Sequence, residues 1–222
     1  MPPASLSPLY AILDVESAER QSLDPLDLLA IWLPSGVRLV QLRAKHSSSG
    51  AFLHLAEAAQ AALAAAGGRL VVNDRADIAR LAGASGVHVG QDDLPVRAAR
   101  AVVGDAALVG RSTHTPEQID VALAEPISYL AIGPIFATST KPQPYAPVGL
   151  DGVRLAARRA ARCGLPVVAI GGITLDAVPD VLQAGAASVA VIGDLLAGDP
   201  ADRARAFVAA TSAAAGARRG AR

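Results

Sequence analysis

The chain is short of several things, and each shortage excludes a class of function. One cysteine, Cys163, stands among 222 residues, so no internal disulfide framework exists and a reducing compartment fits. Cys163 itself reads as a small buried apolar residue. Aromatic residues make up 3%, which leaves few stacking platforms. Acidic and basic residues number 20 each, so the net charge is zero and nothing points to nucleic acid or a membrane surface. No apolar run approaches the ~18 residues of a membrane span. Met1 to Pro8 lacks the basic and apolar regions of a signal peptide. The expectation is a cytoplasmic protein that acts on small molecules.

What the chain has is apolar content, 52% of residues, enough for one large α/β domain spanning 1–222. Its core is expected over about 9–212, with 213–222 a frayed tail rich in Ala, Arg and Gly. Short Val- and Ile-rich runs predict strands at Leu9–Leu13, Val37–Leu42, Arg69–Val72, Gly86–Val89, Ala107–Val109, Tyr129–Ile132, Pro166–Ile170 and Ser188–Val191. Helical stretches fall between them at Leu23–Leu33, Gly50–Ala66, Arg75–Ala82, Pro95–Val102, Pro116–Ala124, Asp151–Arg162, Leu175–Ala184 and Pro200–Ala214. Thr115 and Asp199 suit N-caps, and Gly67, Gly104 and Gly185 suit helix ends. Strict alternation of eight strands and eight helices implies parallel strands with right-handed crossovers and a single (β/α)8 TIM barrel. A doubly wound sheet is the weaker alternative, because Asp14-Val15-Glu16-Ser17 after the first strand is no G-x-G-x-x-G.

Chemistry in such a barrel gathers where strands end. Gln41, Arg43 and Lys45 alternate at the end of the second strand, so they share a face as long as the backbone stays extended. Two cations and an amide there suit an anionic substrate carrying a nitrogen heterocycle. The later ends supply Asn73 and Asp74, then His88, Gln91, Asp92 and Asp93, then Arg111, Ser112, Thr113 and His114. Asp74 and Asp93 lie 19 residues apart on neighbouring strand ends, where a shared cation would relieve their repulsion. Oxygen ligands beside a phosphate site suit Mg²⁺, with Asp92 a competing ligand. The plainer alternative makes Asp74 a helix N-cap and Asp93 a first-turn acid. Gly171-Gly172 and Gly193 close the last two strands, where barrels often bind phosphate through backbone N–H groups. The long connection from Gly133 to Leu150 carries Lys141, which could close over a phosphoryl group. His88 and His114 read as structural histidines, and no zinc site or nucleophilic triad is visible.

These segments resemble a known family. Gln41-Leu42-Arg43-Ala44-Lys45, Val72-Asn73-Asp74-Arg75, the run from Gly86 to Asp93, Gly110-Arg111-Ser112-Thr113-His114, Gly133-Pro134-Ile135-Phe136 with Thr138-Ser139-Thr140-Lys141, and Ala169-Ile170-Gly171-Gly172-Ile173 are similar, in order, to thiamine phosphate synthases. The resemblance implies a barrel that joins hydroxymethylpyrimidine diphosphate to hydroxyethylthiazole phosphate and releases pyrophosphate. It implies that Gln41, Arg43, Lys45, Asn73 and Ser112 hold the pyrimidine diphosphate, with Lys141 on the diphosphate. It implies Mg²⁺ on Asp74 and Asp93, and thiazole phosphate on Thr138, Thr140, Gly172, Ile192 and Gly193. Arg43, Lys45 and Lys141 would be the charge-stabilising catalytic groups. The family commonly has Ser where Gly193 stands, so one hydroxyl contact is lost. A homo-oligomer is compatible with this reading. Two competing readings are a thiazole tautomerase-like barrel, which needs neither the cations nor the paired carboxylates, and a non-catalytic binder of thiamine precursors.

Overall fold

The computed structural model describes residues 6–138 and 145–220, with side chains as far as 217. Among the described residues, eight strands close a barrel in sequence order, every neighbouring pair parallel. They are β1 (Leu9–Asp14), β2 (Leu39–Arg43), β3 (Arg69–Asn73), β4 (Gly86–Val89), β5 (Leu108–Thr113), β6 (Tyr129–Ile132), β7 (Val167–Ile170) and β8 (Ser188–Val191). The helices are α1 (Val15–Glu19), α2 (Pro25–Trp32), α3 (Ser49–Ala65), α4 (Ala76–Leu81), α5 (Val96–Val103), α6 (Pro116–Leu123), α7 (Gly149–Ala161), α8 (Val178–Gln183) and α9 (Pro200–Gly220). The TIM barrel expected from alternation is the fold observed.

Strand alternation divides the apolar residues into two cores. One lies inside the barrel and includes Tyr10, Ile12, Leu39, Val71, Tyr129 and Val168. The larger lies between barrel and helices and includes Trp32, Leu42, Phe52, Val72, Leu130 and Phe207. Helix starts follow local chemistry. Asp24 accepts hydrogen bonds from the Leu26 and Asp27 N–H groups beside Pro25, and Thr115 accepts from Gln118 N–H beside Pro116. Asp199 caps α9 through the Ala201 and Asp202 N–H groups.

Several expectations are corrected. Val15–Glu19 forms a short helix at the end of β1, capped by Asp14. The stretch Leu175–Ala184 divides into a 3-10 turn, Leu175–Ala177, and α8, because Pro179 fits only the first turn of a helix. The chain from 213 does not fray at once: α9 continues to Gly220, and Ala214 packs on the core. Cys163 is exposed, since it falls in the turn after α7. Among the described residues no helix is long and apolar enough to cross a membrane.

Candidate active site

The C-terminal ends of the strands open into two adjoining cavities. The inner one, about 60 Å³, is lined by Gln41, Arg43, Asn73, His88 and Ser112 together with inward apolar residues of the barrel. The outer one, about 350 Å³, is lined by Thr138, Gly171, Gly172, Ile192 and Gly193. Ser112, Ile170, Ala190 and Ile192 line both, so the two spaces meet. Of the groups assigned from the sequence to the pyrimidine diphosphate, Gln41, Arg43, Asn73 and Ser112 line one cavity and Lys45 lines neither, while the described groups assigned to thiazole phosphate line its neighbour. Thr140 and Lys141 lie outside the described residues.

Gln41 and Arg43 point inward because they keep the parity of Leu39, an inside residue. Gln41 is buried, and its Nε2 donates to the Tyr10 hydroxyl at 3.0 Å. Arg43 stands opposite Asp14 in the β1–β2 register, and the two form a salt bridge. Asp14 is buried; its other oxygen takes the Ser17 N–H at 2.9 Å and the Ser17 hydroxyl at 2.5 Å. Glu16 adds a carboxylate oxygen 3.5 Å from Arg43, and its second oxygen accepts His46 N–H at 2.9 Å. The guanidinium is thus oriented before any ligand arrives. Sequence reasoning missed Asp14 and Glu16. The available signal was an acid at the C-terminal end of the first strand, opposite the cation.

Lys45 departs from the expected alternation. β2 ends at Arg43, so the period of two stops there, and Lys45 is an exposed residue paired with Asp74. Asp74 is not a helix N-cap; Arg75 holds that position, with no side-chain capping bond among the described residues. Instead Asp74 sits at φ +62°, in the left-handed region that Asp tolerates better than most residues. Its backbone N–H donates to the His88 carbonyl at 2.7 Å, and its carboxyl reaches Asp93. Asp93 precedes α5 and accepts the Gly90 N–H at 2.8 Å. Asp92, the competing ligand, is exposed.

Burial, first, and then the neighbouring Asp93 carboxyl push the Asp74 pKa up to about 6, while Lys45 opposes them. Two carboxyls in contact, following β3 and β4, offer the oxygen donors a hard divalent cation takes. Among the described residues no group of three or more His, Cys, Asp or Glu gathers to hold a metal. Two carboxylates completed by substrate phosphate oxygens and water form the usual environment of Mg²⁺.

His88 Nε2 lies 2.8 Å from Ser112 Oγ. The pair is not an activated nucleophile. His88 Nδ1 meets the Tyr129 hydroxyl at 3.0 Å where a triad has a carboxylate. Tyr129 is buried and its pKa lies well above the usual tyrosine value, so it stays neutral and stabilises no imidazolium. His114 is braced by Gly133 O at 2.5 Å and stacks on Tyr145 with ring centres 4.0 Å apart.

In the glycine pair, Gly172 lies at φ +66°, and a Cβ there would sit 2.5 Å from the Ala137 carbonyl oxygen. The close approach holds the connection after β6 against the end of β7, so packing as well as ligand access explains the glycine.

Comparison with known proteins points to one family. A family model described as thiamine monophosphate synthase matches residues 9–195. A thiamine-phosphate synthase of Koribacter versatilis is 47% identical over 202 residues, covering 90% of this chain and 93% of that protein. One from Acidothermus cellulolyticus is 44% identical over 215 residues, covering 96% and 99%. Among solved structures, a thiamine phosphate pyrophosphorylase from Pyrococcus furiosus superposes with TM-score 0.83 at 25% identity, over 94% of this chain and 96% of that one.

Proposed function

The chain belongs to the thiamine monophosphate synthase family, and from that premise we propose that its barrel mouth joins hydroxymethylpyrimidine diphosphate to hydroxyethylthiazole phosphate, giving thiamine phosphate and pyrophosphate. It is a transferase. One observation carries the reading: Gln41, Arg43, Asn73 and Ser112 converge on a cavity that opens into the space lined by Thr138, Gly172, Ile192 and Gly193. Two pockets that meet, each carrying a few polar groups on an apolar wall, suit two substrates that must touch.

Gln41, Asn73 and Ser112 bind the pyrimidine ring in the inner cavity. Arg43 and Lys45 receive the diphosphate, and Lys141 closes on it. Asp74 and Asp93 would hold Mg²⁺, which would supply positive charge against the diphosphate. The methylene–oxygen bond breaks with its electron pair leaving on pyrophosphate, and Arg43 and Lys45 stabilise that charge. The aminopyrimidine carries the resulting positive charge until the thiazole nitrogen forms the new carbon–nitrogen bond. Thr138, Thr140 and the backbone N–H groups at Gly172 and Gly193 fix the thiazole phosphate. No covalent enzyme adduct and no strong general base take part, so the protein contributes alignment, electrostatics and exclusion of water. The single cysteine fits a reducing compartment, and we place the reaction in the cytoplasm.

The test is to mix both substrates with and without Mg²⁺. Pyrophosphate release that requires thiazole phosphate is the expected result. Isomerisation of thiazole phosphate without metal would identify a tautomerase, and binding without turnover a non-catalytic binder.

A further inference from the structure

The ends of the inner cavity are wired together through the barrel interior. Gln41 Nε2 donates to the Tyr10 hydroxyl at 3.0 Å. Tyr10 and Tyr129 hydroxyls lie 3.0 Å apart. The Tyr129 hydroxyl meets His88 Nδ1 at 3.0 Å, and His88 Nε2 meets Ser112 Oγ at 2.8 Å. Tyr10 and Tyr129 are 1% and 0% exposed, so neither hydroxyl has recourse to bulk water. The rings support the same path: His88 stacks on Tyr129 with centroids 5.6 Å apart, and Tyr10 meets Tyr129 edge-on at 6.0 Å. Gly110 makes room for it. A Cβ on that inward position of β5 would lie 2.1 Å from Tyr129 Cζ and 2.4 Å from His88 Nδ1.

We propose that His88 is a positioning residue for the pyrimidine site, set by Tyr10 and Tyr129 in a directional hydrogen-bond chain that orients Gln41 and Ser112 together. The inference rests on the synthase reading and deepens it. Each hydroxyl has one proton, and a buried donor without an acceptor is costly. Because Gln41 spends an N–H on Tyr10, the arrangement that leaves no buried proton idle runs one way. Tyr10 donates to Tyr129, Tyr129 donates to His88 Nδ1, and His88 donates from Nε2 to Ser112. Two consequences reach the cavity. Gln41 presents its carbonyl oxygen as an acceptor beside its second N–H, and Ser112 keeps its own proton to donate. An aminopyrimidine carries both complements, an amino N–H and ring nitrogen lone pairs. The chain thus makes donor and acceptor positions a matched pair, since reversing one end requires turning every link.

The wild type and Tyr129→Phe test this. The variant keeps the ring that packs in the barrel and deletes the central link. Nitrogen-15 NMR of the histidines, with the His88 signals assigned by their loss in His88→Gln, reads the tautomer without any turnover. The wild type is expected to hold neutral His88 with the proton on Nε2, and Tyr129→Phe to give a mixture of tautomers. In kinetics, Tyr129→Phe should raise KM for the pyrimidine diphosphate about tenfold, the worth of one hydrogen bond, and leave KM for thiazole phosphate within about twofold. A wild-type proton on Nδ1, an unaltered tautomer in Tyr129→Phe, or equal rises in both KM values would overturn the proposal. A wild type with the expected tautomer and no pyrophosphate release would instead sink the synthase reading and leave the chain itself intact.

Discussion

Asp14 shows what one buried carboxylate does at a strand end. It holds Arg43, accepts two hydrogen bonds from Ser17, and opens α1. Asp14→Asn keeps the shape and removes the charge. We expect it to destabilise the fold by ~1–3 kcal/mol and to raise KM for the diphosphate substrate roughly tenfold, because a charged hydrogen bond and the orientation of Arg43 are lost together. Thermal melts and steady-state kinetics measure both. Asp74 gives a second prediction, with a definite sign. Its carboxyl titrates near 6 in the fold against an ordinary 3.8, so the folded protein holds this proton more tightly than the unfolded chain. The stability it contributes is complete below pH ~4 and is lost as pH rises through about 6. Metal-free protein should therefore lose melting temperature across that window, and Asp74→Asn should flatten the slope. At the proposed metal site Mg²⁺ would have to displace the same proton, so its affinity, read by calorimetry, should climb from pH 5 to about 6 and then level. At this scale the sequence was informative where parity applies. Gln41 and Arg43 follow the pleat, whereas Lys45 lies beyond it, and contact between Asp74 and Asp93 came from two turns meeting.

At the level of elements, β6 and its following connection depend on β7. The turn at Gly171-Gly172 lets the Phe136 and Ala137 carbonyl groups come close, and only a hydrogen fits between. Gly172→Ala carries both a φ of +66° and a contact of 2.5 Å. It should displace this connection, raise KM for thiazole phosphate more than for the pyrimidine diphosphate, and cost roughly 1–3 kcal/mol of stability. Parallel kinetics with each substrate varied in turn distinguishes this from general unfolding. The strand positions themselves were legible because buried parallel strands read as short Val and Ile runs. Their ends were less so: β5 continues to Thr113, through polar Arg111 and Ser112, since Ser112 faces the cavity and Thr113 donates its buried hydroxyl to the Ala131 carbonyl at 2.8 Å. α1 escaped notice because five residues give too little periodicity to see.

The whole molecule is held by the sleeve of apolar side chains between barrel and helices, remote from the chemistry. Trp32 lies fully buried in that sleeve, with its indole nitrogen unpartnered among the described residues. Trp32→Ala should cost ~3–5 kcal/mol through the cavity it leaves, while Trp32→Phe should cost clearly less because it removes volume and an unsatisfied N–H together. Denaturant titration compares them, and KM for both substrates should stay near wild type in the folded fraction. The alternation of strands and helices, the polar strand ends and the glycine punctuation were set locally along the chain, so the barrel and most members of the site could be read from residue order. Distances between strands are decided only when the sheet closes. That closure placed Asp14 against Arg43, Asp74 against Asp93, and Tyr10 against Tyr129, 119 residues away in the chain. A local pattern records which face a side chain takes, and three-dimensional packing alone selects its partner.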